Sequence, residues 1–146
     1  MSKELKEKVK ENLKALNKSK SDLSDSYIKL LKFEYSKVKK LLSSLGSHYI
    51  RESYNSTDDG NMQYDYCLTL EEKDGSVDIL DDFTHKDPDY ATSFEKLSKD
   101  DLKLIEGFVK VFYDLIYDLQ KNHLNVKSII KKSGLEFIGE FDGKYD

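Results

Sequence analysis

Five aspartates, Asp78, Asp81, Asp82, Asp87 and Asp89, fall within twelve residues of one another. Carboxylates gathered so closely can ligate a hard divalent cation, move a proton, or create a negative field that steers a basic partner. A calcium loop needs oxygen ligands at alternating positions, a central glycine and a closing glutamate. Neither Asp58-Asp59-Gly60 nor Asp87-Pro88-Asp89 follows that spacing. No metal site and no cofactor is therefore expected. Phe83, Tyr90 and Phe94 interrupt the same acidic run, and aromatic rings among carboxylates suit a protein interface, with the rings as apolar anchors and the charges as steering elements.

Other chemistry is sparse. Gly139-Glu140-Phe141-Asp142-Gly143-Lys144 is one residue short of a phosphate-binding loop and has no helix to open. No nucleophile elbow occurs, and no signature sets Cys67 beside His48, His85 or His123. Cys67 reads as a small strand residue, and His123 as a helix-end residue interacting with the dipole. A lone cysteine forms no internal disulfide, and no window is apolar enough to span a bilayer or act as a signal peptide, so a cytoplasmic location without membrane contact is expected.

The elements that must position these residues follow from periodicity. Leu5, Val9, Leu13 and Leu16 share a narrow arc, which predicts an amphipathic helix over the first twenty residues, peripheral to the core. Asn17-Lys18-Ser19-Lys20-Ser21 is taken as a polar break. A second helix then runs to Leu45, with Tyr27, Leu30, Leu31, Tyr35, Val38, Leu41, Leu42 and Leu45 on one broad side and Gly46 as its terminating residue. From Ser47 the period changes to two, and turn formers at 56–61 and Asp74-Gly75 divide three antiparallel strands into a meander. Ser98 caps a long core helix built on Leu102, Ile105, Val109, Phe112, Ile116 and Leu119. A short helix after Val126 and a last strand near Phe137 complete the chain.

The net charge of −4 hides a marked asymmetry. Residues 1–56 carry 13 basic and 7 acidic side chains, whereas residues 57–101 carry 4 and 14. The two segments either neutralise each other, within one chain or across a homodimer, or remain open to outside partners.

The 146 residues therefore read as a single α+β domain, 1–146: two N-terminal helices, a three-stranded antiparallel meander, a long core helix, and a short C-terminal helix and strand. The expected function is a small, non-catalytic regulatory or inhibitory protein-binding domain. Its surface would be Asp78, Asp81, Asp82, Phe83, Asp87, Asp89 and Tyr90, and its partner a basic protein such as one that binds nucleic acid. Small inhibitor, immunity and phage anti-defence proteins share this character by analogy. An alternative is direct nucleic-acid binding through Lys29, Phe33, Lys37 and Lys40, a base stacking on the ring and lysines meeting phosphates, although Arg51 is the sole arginine. A second alternative is a divalent-metal-dependent enzyme using the Asp78–Asp89 cluster.

Overall fold

The computed structural model describes residues 3–56, 60, 62–81, 83 and 90–139. It opens with one 43-residue helix, α1 (Lys3–Leu45), followed by β1 (His48–Ser56), β2 (Met62–Glu72) and β3 (Gly75–Ile79). A single 3₁₀ turn, Thr92–Lys96, leads into α2 (Lys99–Lys121), α3 (Val126–Lys132) and the two-residue strand β4 (Phe137–Ile138).

The two expected N-terminal helices are thus one. Asn17 to Ser21 contains neither glycine nor proline, and Asn, Ser and Lys each cost a helix interior only a few tenths of a kcal/mol. A polar run of that kind weakens a helix without ending it.

The sheet order is β3-β2-β1-β4. The three long strands form the expected antiparallel meander, with His48 opposite Leu70 and Leu68 opposite Ile79. β4 adds to the free edge of β1 in parallel, Ile50 beside Phe137, and makes the sheet mixed. Its direction follows from the chain returning through α3, so that the Ile50 amide donates to the Glu136 carbonyl at 2.8 Å.

Alternation sorts the strands into two faces. Ile50, Leu68, Leu70 and Ile79 are buried in one core with Leu31, Val38 and Leu42 of α1 and Ile105, Phe108, Phe112 and Leu119 of α2. The core helix is capped as its sequence indicates, the Ser98 side chain accepting from the Asp101 amide at 3.1 Å. At its other end His123 adopts φ 55°, with the Leu124 amide donating to the Leu119 carbonyl and the His123 amide to that of Gln120. This is the left-handed helix ending usually given to glycine. The backbone turn accounts for His123 without any ligand.

Gly46 does end α1, but for a reason other than handedness. A Cβ on it would lie 2.3 Å from the Glu71 carbonyl oxygen. Only a residue without a side chain lets the turn into β1 pass so close to β2.

Candidate functional site

Asp78 projects from β3 on the sheet face away from the core. Its carboxylate accepts from the Arg51 guanidinium at 2.6 Å and from the Thr69 hydroxyl at 2.8 Å. One carboxylate thus ties together three adjacent strands. With both partners more than a third exposed, the ion pair contributes roughly 0–1 kcal/mol. Asp81 is exposed, and Asp82, Asp87 and Asp89 lie outside the described residues. Among the described residues no cluster of three or more His, Cys, Asp or Glu is placed to hold a metal ion.

The aromatic anchors face inward. Phe83 is only 8% exposed and packs its ring 5.4 Å from that of Phe94, itself buried, while Tyr90 stands edge-on to Phe94 at 5.6 Å. These rings fasten the connection between β3 and α2 to the core; only half-buried Tyr90 retains surface to offer. Glu72 fastens the same connection. Burial raises its pKa, but hydrogen bonds from Thr92 and Ser93 outweigh that effect and bring it below the usual carboxylate value.

Lys29, Phe33, Lys37 and Lys40 are exposed on α1. Phe33 is 59% exposed. The Lys37 ammonium lies 4.5 Å from the centre of its ring and 3.2 Å from Glu34. A cation already covers one face of the ring on which a base would stack.

In a second arrangement, which no sequence pattern signals, Tyr35 of α1 meets His48 of β1. The hydroxyl and Nε2 are hydrogen bonded at 2.5 Å, beside a cleft of about 570 Å³ also lined by Lys39, Ser43 and Glu136. Burial pushes the imidazole below its ordinary pKa, Gly46 and Glu136 pull the other way, and Lys39 adds to the depression. With the ring neutral, Tyr35 donates to Nε2, and the buried Nδ1 is left with no more than a weak approach to the Gly46 backbone. Thirteen residues separate the two in the chain, and no local pattern announces a pair made across a turn.

This pair makes stability depend on pH. The folded-state pKa lies below the unfolded value of about 6.5, so the unfolded chain binds more protons between the two values. The stabilisation is complete above about pH 6.5 and is lost as pH falls through the folded pKa. His48→Gln retains an acceptor for Tyr35 but does not titrate. Denaturant unfolding from pH 8 to pH 5, about the range in which histidine titrates, should show the wild type losing stability faster than H48Q. Parallel curves would contradict this assignment.

The third arrangement is the first half of α1. Every residue from 3 to 23 is exposed, a length of about 30 Å at 1.5 Å per residue. Val9, Leu16, Leu23 and Leu30 recur at intervals of seven and are 38–53% exposed. Leu13 lies beside them, also exposed. No family model, curated protein or solved structure matches this chain. Geometry and chemistry therefore carry the functional reading. No helix among the described residues is long and apolar enough to cross a membrane.

The arc of Leu5, Val9, Leu13 and Leu16 does not stop at Asn17 but continues along the same helix. The signal that extends it is the sevenfold recurrence itself, which runs through Asn17 to Leu23 and Leu30.

Proposed function

We propose that this chain is a non-catalytic protein-binding module of regulatory type, and that its binding element is the projecting half of α1. The observation that carries the reading is a helix whose residues 3–23 are all exposed and yet which keeps large apolar side chains on one line. A solvated helix has no use for leucine at every seventh position. An isolated helix of about twenty residues rich in Asn, Ser and Lys is also marginal in water. Completing the burial of a half-exposed leucine is worth about 1 kcal/mol, so a partner helix gains from each position along the seam.

The acidic middle of the chain supports this role as a steering field. With Phe83 and Phe94 in the core, half-buried Tyr90 is the one ring among Phe83, Tyr90 and Phe94 left with surface to serve as an apolar anchor. Lys29, Lys37 and Lys40 beside exposed Phe33 favour a second reading, nucleic-acid binding at the base of the arm, whose signature would be retention on RNA that weakens steeply with salt.

The test is cross-linking through the arm lysines, with mapping by mass spectrometry, in host lysate and with the purified chain. Products joined through Lys14, Lys18 or Lys20 should form with the wild type and be lost in Leu16→Ser/Leu23→Ser, while the melting temperature of the body stays close to that of the wild type. An unchanged product pattern in the double variant would overturn the reading.

A further inference from the structure

We infer that the partner of the projecting seam is the same seam of a second copy, running antiparallel to it over residues 6–30. The inference rests on the reading of α1 as the binding element and names the occupant. Placing Val9, Leu16, Leu23 and Leu30 at one of the two core positions of a heptad puts Lys6, Leu13, Lys20 and Tyr27 at the other. The stretch is about 37 Å long and covers about three and a half heptads, enough for such a repeat to specify a coil.

Charge selects both the partner and its direction. The positions flanking the seam, which in coiled coils choose a partner by ion pairing, are here Lys10, Asn12, Asn17, Ser19, Ser24 and Ser26, of which only Lys10 is charged. A single flanking charge exerts little electrostatic selection for a different chain, and the antiparallel arrangement below sets Lys10 near Ser24 of the second copy, away from its own counterpart. The core position Lys20 decides the orientation. Two parallel copies would set Lys20 against Lys20 and align the stretches 3–20, each with 7 lysines and 3 glutamates. Antiparallel copies related by a twofold axis near residue 18 layer Lys20 with Leu16 of the second copy, along which its aliphatic stem can lie while the ammonium reaches water. Leu13 then meets Leu23, Val9 meets the side of Tyr27 left open by its packing on the body, and the lysine-rich half runs beside the half bearing Asp22 and Asp25. The tip of each arm comes level with Leu30 of the other copy, which is left exposed where the arm joins the body.

Sedimentation of the full chain over a dilution series should show a mass twice 17.0 kDa that falls to the monomer value on dilution. Leu16→Asp/Leu23→Asp should be monomeric at every concentration. In a Cys67→Ser background, Ser19→Cys should oxidise to a disulfide-linked dimer, because the axis brings the two copies of position 19 together, and Val9→Cys should not. A wild-type monomer throughout the series would overturn the inference. Linking through Val9→Cys in place of Ser19→Cys would overturn the antiparallel arrangement. A monomer that still forms seam-dependent cross-links to another protein would leave the binding role of α1 standing and remove only the second copy.

Discussion

Gly46→Ala should lower stability by about 3 kcal/mol, at the upper end for an overpacked position. The methyl group would lie 2.3 Å from the Glu71 carbonyl oxygen and 3.5 Å from its carbon. Neither neighbour can withdraw cheaply. The Glu71 amide donates to the Ser47 carbonyl at 2.8 Å, and the Gly46 amide donates to the Leu42 carbonyl at 3.2 Å. Relief therefore requires either opening the His48–Leu70 end of the β1–β2 ladder or tilting α1 away from the sheet, which pulls Tyr35 from His48. Urea unfolding should show a lower midpoint with an unchanged slope, the pattern of a destabilised native state. A loss under about 1 kcal/mol would mean that α1 and β2 do not approach as closely as described.

Tyr113→Phe should cost about 2 kcal/mol although it removes a single oxygen. The Tyr113 hydroxyl donates to the Ile79 carbonyl at 2.5 Å and accepts from the Leu68 amide at 3.2 Å. These are backbone groups of residues paired across β2 and β3, and a side chain from α2 therefore completes the ladder. Burial is the main reason the phenol is pushed far above its ordinary pKa, with Cys67 adding to it, so the hydroxyl stays protonated and remains a donor. Phenylalanine fills the same space but leaves a donor and an acceptor unpaired, each costing about 1–3 kcal/mol when buried. Equilibrium unfolding measures the total, and amide exchange at Leu68 should accelerate more than at Leu70. Equal exchange at both, with unfolding unchanged, would show that the hydroxyl does not serve the ladder.

Much of the architecture was legible because it rests on local patterns. The seam of α2, its Ser98 cap and the alternation of Ile50, Leu68 and Leu70 follow from spacing alone, and each stands where periodicity places it. What escaped was set by contacts between distant residues. The parallel placement of β4 depends on how α3 returns the chain to the Ile50 edge. The inward turn of Phe83 depends on Phe94 and Tyr90 being there to receive it, and a ring among aspartates looks the same in sequence whether it faces in or out. The Tyr35–His48 pair lies on two elements whose approach is set by Gly46. The error over α1 was of another kind. Five polar residues resemble a break, but the helix needs only the absence of a true breaker to continue.

That continuity has a geometric consequence. Since one uninterrupted helix both carries the leucine line and packs into the body, the direction in which the line points is locked to the body by helical phase. One residue added near Asp25 would swing the line about 100° around the axis, while seven would return it to within about 20°. The arm therefore acts as a keyed shaft, and its coding length is constrained in whole heptads even where no individual side chain is.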